Sequence, residues 1–145
     1  MSYINLVYIG FLVMLTGTGL SQGNSESLSD NESDQLQTRV VISSLPSIKI
    51  ETDENGSTKT KLSAEQASKN LITIIKAGGS YFWATRQYRP LIRNDSGLYT
   101  TFVCPKGGGY IKIEKTLDGK FKVMEHVTIG MVTITYFGDC PAYHP

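Results

Sequence analysis

The chain has 145 residues, of which 40% are apolar and 19% are charged, and its formal net charge at neutral pH is +1. This length allows one domain but hardly two, because domains commonly run to about 100 to 150 residues. The composition excludes a wholly disordered chain. We therefore expect a single folded core.

The amino-terminal segment predicts export. Residues 4–15 are almost continuously apolar, and small residues follow at Gly17, Gly19 and Ser21, which is the layout of a signal peptide. An uncleaved membrane anchor is the alternative. The apolar run is shorter than the roughly 18 to 20 residues that a spanning helix needs, so we do not expect stable membrane insertion. Cleavage after Gly19 or Ser21 would remove a signal peptide of residues 1–21.

Residues 22–38 form an acidic segment. It holds four acidic residues and no Lys or Arg, and its only apolar side chains are Leu28 and Leu36. Such a stretch cannot bury enough apolar surface to offset the entropy lost on ordering, which predicts a disordered tail. The remaining residues 39–145 carry all fourteen basic and nine acidic residues, a net charge of +5. That modest charge, together with export, argues against a nucleic-acid partner.

The folded part begins with extended segments. Residues 40–43 and 47–51 have the β-branched composition and spacing of short strands, separated by Leu45-Pro46. Asn55-Gly56 then predicts a hairpin turn, because this dipeptide is the strongest short hairpin signal.

One amphipathic helix is predicted next. Ser63 and Gln66 have the spacing of a capping box at a helix start. One apolar stripe at helical spacing follows, formed by Ala67, Leu71, Ile74 and Ile75. Gly78-Gly79 would end this helix.

Everything after the helix predicts strands. The segments are short, rich in β-branched and aromatic residues, and divided by turn residues: 81–87, 97–104, 109–116, 120–124 and 127–137. Asp118-Gly119 predicts a hairpin between the third and fourth of them. The sequence therefore predicts an α+β domain in which one helix packs on an antiparallel meander of about five strands.

Cys104 and Cys140 are the only cysteines. In an oxidising compartment two thiols normally pair, so we predict a disulfide that ties two strand ends together. A cysteine nucleophile paired with His126 is the alternative. Export also makes three Asn-x-Ser sequons candidate glycosylation sites: Asn31, Asn55 and Asn94.

Residues 81–93 hold four aromatic residues and three arginines, and no acidic residue lies among them. Arg and aromatic side chains are enriched at binding hot spots, and guanidinium groups fit carboxylate, sulfate or phosphate. The candidate binding residues are Trp83, Arg86, Tyr88, Arg89 and Arg93. In the alternative, the aromatic rings fill the core while the arginines reach solvent or pair with Asp95 and Glu114.

Other chemistry is weakly indicated. Lys106 precedes three glycines, but a phosphate loop needs a helix after its glycines, so a flexible hairpin is the simpler interpretation. Glu125 and His126 are adjacent and could suggest acid-base chemistry. Neighbouring residues in a strand point to opposite faces, so we do not expect these two side chains to act together. No residues have metal-ligand spacing, and we expect no metal or other cofactor.

These observations predict a secreted binding domain, monomeric or weakly dimeric. It would recognise an extracellular protein or an anionic small molecule through the Arg and aromatic patch. The competing hypothesis is a small extracellular enzyme in which His126 acts as general base.

Overall fold

The computed structural model describes residues 37–145, and these residues form nine strands and one short helix. The strands are Arg39–Asp53 (β1), Gly56–Lys61 (β2), Ile72–Ala77 (β3), Ser80–Trp83 (β4), Arg89–Asp95 (β5), Tyr99–Val103 (β6), Gly109–Lys115 (β7), Phe121–Ile129 (β8) and Val132–Cys140 (β9), and the helix is Ala64–Lys69 (α1). The predicted signal peptide, the sequon at Asn31 and nearly all of the acidic segment lie outside the described residues.

The strands form a closed antiparallel barrel. The first half of β1 pairs with β3, and its second half pairs with β9, so eight strands close on themselves while β2 pairs with β1 alone. Register shifts in β1 at Val40/Ile42 and Pro46/Ile48 let this one long strand bend and change neighbours. The predicted α+β class, with one helix on a five-strand meander, is therefore wrong.

A glycine stands at the seam where the barrel closes. Gly138 pairs with Pro46, and a Cβ at this position would lie 2.6 Å from Ser44 Oγ and 2.8 Å from the carbonyl oxygen of Leu45. Because those contacts are closer than any side chain tolerates, β9 can approach β1 only with glycine at this position.

The helix is much shorter than predicted. Its start is confirmed, since the side chain of Ser63 and that of Gln66 form the reciprocal bonds of a capping box. The helix ends at Lys69, however, and the apolar residues that follow belong to β3, where Ile72 and Ile74 are buried in alternation. Within residues 37–145, no helix is long and apolar enough to cross a lipid bilayer.

The hairpins of the second half are predicted in part. A hairpin at Asp118-Gly119 is confirmed between β7 and β8. The predicted strand 81–87 is wrong beyond Trp83, because the chain turns there. The predicted strand 127–137 is divided between β8 and β9 by a turn at Gly130-Met131.

Side chains fill the barrel interior, as expected for eight strands. The fully buried residues include Val41, Ile42, Ile72, Ile74, Trp83, Phe102, Ile111, Ile113 and Val123. The connections from β4 to β5, β6 to β7 and β8 to β9 lie at one end, here called the loop end: residues 84–88, 104–108 and 130–131. The opposite end, here called the turn end, has the connections from β3 to β4, β5 to β6 and β7 to β8: residues 78–79, 96–98 and 116–120.

The two cysteines lie at different ends of the barrel. Cys104 follows β6 at the loop end, where its N–H donates to the carbonyl of Gly109. Cys140 ends β9 at the turn end, opposite Phe121. Both are buried free thiols, so the predicted disulfide is wrong. The two strand ends that it was expected to join lie at opposite ends of the molecule.

Candidate binding site

A cleft of about 310 Å³ opens at the loop end, between residues 84–88 and the end of β8. Its lining residues are Trp83, Thr85, Arg86, Gln87, Arg89, Gly108, Val127, Thr128 and Ile129. The cleft therefore has two guanidinium groups on one side and apolar side chains on the other.

A buried carboxylate lies beneath the cleft. Glu125 is 0% exposed, and its Oε1 accepts a hydrogen bond of 2.7 Å from the indole N–H of Trp83. Its Oε2 accepts one of 2.8 Å from Nη2 of Arg86. The guanidinium of Arg86 also lies 5.8 Å from the centre of the Tyr136 ring, within the range of a cation–π interaction. These contacts hold Arg86 in one position at the base of the cleft.

Burial dominates the ionisation of Glu125. Removal from water raises the pKa of this carboxyl, and the charge of Arg86 and the hydrogen bonds from Arg86 and Trp83 only partly oppose the rise. The pKa of Glu125 therefore stays above its ordinary value.

Both arginines have donors to offer a ligand. Arg86 is 30% exposed and lines the cleft, and its side-chain hydrogen bond within residues 37–145 runs from Nη2 alone to Glu125. Arg89 forms no ion pair within the described residues. Its Nη1 lies against Gly108, where a Cβ would be only 2.7 Å away. The absence of a side chain at Gly108 thus makes room for the guanidinium.

The loop on one side of the cleft has an unusual backbone. Gln87 and Tyr88 have φ angles of 57° and 52°, in the left-handed region that non-glycine residues rarely adopt. Each costs about 1–2 kcal/mol relative to a right-handed conformation. Strain of this kind is concentrated at functional sites, so its occurrence beside the cleft agrees with a functional loop.

The five predicted binding residues do not all meet. Trp83, Arg86 and Arg89 line the cleft together. Tyr88 belongs to the same loop but is 65% exposed and points to solvent. Arg93 is separate and lies in the turn-end half of β5. It donates to the hydroxyl of Tyr81 and to the carboxylate of Asp95. Four residues of strand, about 13 Å, separate it from Arg89.

His126 lies outside the barrel, on the face opposite to Glu125. Its ring stacks on Tyr110 at 4.9 Å, and its Nδ1 is 3.1 Å from Oγ1 of Thr135. It does not line the cleft, and its role as a general base stays a prediction. The remaining sequons, Asn55 and Asn94, are exposed, and their glycosylation stays a prediction.

The glycines after Lys106 form the turn from β6 to β7. A Cβ at Gly109 would overlap the carbonyl oxygen of His126, so the close approach of β7 and β8 requires glycine there. No helix follows these glycines, and the hairpin interpretation is confirmed. Gly108 nevertheless contributes to the cleft.

A larger groove of about 440 Å³ lies where β1, β2, β8 and β9 meet. Ile48, Ile50 and Phe137 line it together with charged residues, Lys59, Lys122 and Asp139, that are all exposed. Neither lysine of this groove forms an ion pair with a buried carboxylate among residues 37–145. The loop-end cleft, with a buried carboxylate fixing a cation, has the stronger features of a binding site.

No protein-family model, curated protein or solved structure matches this chain.

Proposed function

We propose that this chain binds a small organic anion in the loop-end cleft, and that it does so outside the cell, as its amino-terminal sequence predicts. The observation that carries the proposal is the buried Glu125, which fixes Arg86 at the base of the cleft. An ionised carboxylate at 0% exposure is costly without a cation beside it, so Glu125 keeps the guanidinium of Arg86 at this position.

The lining of the cleft supports an anion with an apolar part. Arg86 and Arg89 can donate charge-assisted hydrogen bonds to a carboxylate, sulfonate or phosphate group. Ile129, which is 62% exposed, offers apolar contact to the rest of the ligand, and the largely buried Trp83 and Val127 line the cleft beside it. A volume of about 310 Å³ is at the lower limit of small-molecule sites, which supports a ligand of few atoms.

The single tryptophan makes binding measurable. Trp83 is the only one in the chain and lines the cleft, so its fluorescence should change when the cleft is filled. We expect benzenesulfonate to bind more tightly than benzenesulfonamide, its neutral analogue of nearly equal shape. Arg89→Glu should weaken benzenesulfonate binding about tenfold or more, because a hydrogen bond to a charged group contributes about 1.5–3 kcal/mol.

Lys115→Glu is the matched control. It makes the same change in charge at an exposed position on the turn end and should leave the affinity within about twofold. Equal affinity for the sulfonate and the sulfonamide would refute anion recognition. The absence of any fluorescence change with benzenesulfonate, octanoate and phenyl phosphate would refute the site itself.

A further inference from the structure

One cation is shared between the protein's own carboxylate and the cleft. Nη2 of Arg86 is bonded to Glu125, while the side chain is 30% exposed and lines the cleft. An anion that bonds the exposed side of this guanidinium would therefore share its positive charge with Glu125. Two negative groups around one partly buried cation repel each other more strongly than they would in water.

We propose that anion binding in the cleft is coupled to the uptake of a proton by Glu125, so that the ligand binds more tightly as the pH falls. This inference rests on the proposed function and adds its regulation. The ligand's charge replaces the carboxylate's charge beside Arg86, and the neutral carboxylic acid remains in the interior. No covalent bond other than that to the proton forms or breaks.

The surroundings of Glu125 favour this exchange. Trp83 donates to Oε1, and that oxygen can accept the bond whether the carboxyl is ionised or neutral. From β9 the facing titratable group is Tyr136, which is 5% exposed and bonded through its hydroxyl to Asn70. From β7 the facing residue is the apolar Ile111. Arg86 is thus the only cation in direct contact with the carboxylate within the described residues.

Two other charged side chains, Lys49 and Glu51, belong to β1, the strand that pairs with β9 beyond Tyr136. Lys49 of β1 pairs in register with Tyr136, and its ammonium group is held by the carboxylate of Glu51. This pair is internally neutral, so it does not substitute for the charge of Arg86. Arg89 lines the cleft and strengthens the attraction for the incoming anion. The same anion weakens the attraction between the carboxylate of Glu125 and the guanidinium of Arg86.

The sign of the pH dependence follows from linkage. A bound anion raises the pKa of Glu125 further, so the complex holds more protons than the free protein between the two pKa values. Affinity should be lowest and constant above both values, rise as the pH falls between them, and level off below both. A difference of one pKa unit corresponds to a tenfold change in affinity.

The experiment uses the chain without its predicted signal peptide, residues 22–145. It measures benzenesulfonate binding by Trp83 fluorescence from pH 8 to pH 5. The probe stays ionised throughout, so its own titration cannot produce the effect. We expect a rise in affinity of about tenfold. Calorimetry in two buffers with different ionisation enthalpies should show uptake of a fraction of a proton per ligand bound, and this readout needs no variant.

Three variants separate the possible causes. Glu125→Gln should bind benzenesulfonate with pH-independent affinity and no proton uptake. His126→Gln should keep the wild-type pH dependence, because His126 lies on the outer face. Arg89→Gln should weaken binding but retain the slope with pH. Binding that does not change with pH, or a slope that survives in Glu125→Gln, would overturn the coupling alone; no binding at any pH would overturn the proposed function as well.

Discussion

Glu125 and Arg86 have unequal surroundings. The side chain of Glu125 is fully buried, whereas that of Arg86 is 30% exposed. Arg86 can therefore be solvated without its partner, but Glu125 cannot. The stability of the folded protein depends more on the carboxylate's having a cation than on the cation's having a carboxylate.

Replacement of Arg86 should expose this asymmetry. We expect Arg86→Met to lower the free energy of unfolding at pH 7 by about 2–3 kcal/mol, because an ionised carboxylate is left buried without its cation. The double variant Arg86→Met, Glu125→Gln should recover most of that loss. Urea denaturation of the two single variants and the double variant completes the cycle.

The pH dependence of that loss has a definite sign. Burial raises the pKa of Glu125 in the folded state, so the folded protein binds more protons than the unfolded chain between the unfolded and folded pKa values. The loss of unfolding free energy in Arg86→Met is fully present above the pKa that Glu125 has in the folded variant. It shrinks as the pH falls through that pKa, because the carboxyl becomes neutral. A loss that does not shrink at any pH between 8 and the onset of acid unfolding would contradict this account.

The sequence predicted part of this site. Trp83, Arg86 and Arg89 could be chosen because aromatic residues and arginines are dense in that segment. Glu125 was considered only as the neighbour of His126 and was missed as a residue of this site, although it alternates with buried Val123 and Val127 and such a position predicts an inward side chain. Its partner Arg86 lies 39 residues away, and no local pattern indicates that pairing.

At the scale of an element, the loop of residues 84–88 combines strain with few constraints. The N–H of Ala84 donates to the carbonyl of Thr73 in β3. Within the loop, the N–H of Arg86 donates to the carbonyl of Trp83, and the N–H of Arg89 donates to that of Arg86. Gln87 and Tyr88 are exposed, so no buried side chain forces their left-handed φ angles. The closely spaced backbone bonds and the need to return into β5 do.

Glycine at Gln87 should therefore stabilise the protein. Glycine adopts the left-handed conformation without strain, which stabilises the folded state. Glycine also makes the unfolded chain more flexible, which costs less than the strain relieved. We therefore expect Gln87→Gly to raise the free energy of unfolding by about 0.5–1 kcal/mol. Thr85→Gly is the control, because Thr85 has no positive φ. It should lose about the same amount. Thermal and urea denaturation would decide, and destabilisation by Gln87→Gly would disprove the strain.

The helix and β3 show how far local signals reach. The capping box at Ser63 specified the helix start, since both of its bonds lie within four residues. Leu71, Ile74 and Ile75 fit one face of a helix, whereas the run Ile72-Thr73-Ile74-Ile75 also fits a strand. Four β-branched residues in succession favour the strand, and pairing with both β1 and β4 settles the outcome.

At the scale of the whole molecule, closure of the barrel depends on contacts between distant parts of the chain. The hydroxyl of Ser44 donates to the carbonyl of Asp139, 95 residues away, beside the seam that Gly138 permits. Periodicity can indicate that β1 and β9 are strands, but it carries no information on their pairing. An open meander and a closed barrel therefore share one local pattern, which is why the predicted fold class failed.

The positions of the cysteines allow a test of the whole architecture. Cys104 and Cys140 are buried at opposite ends of the barrel, so Cys104→Ala and Cys140→Ala should each lower the free energy of unfolding by about 1 kcal/mol through lost packing. Because the sites share no contacts, the double variant should lose the sum of the two. A disulfide would give a different result: either single variant would lose about 3 kcal/mol or more, and the second substitution would add little. Urea denaturation of the three variants, with and without reductant, distinguishes the two cases, and non-additive losses that reductant abolishes would contradict the arrangement of β6 and β9 described above.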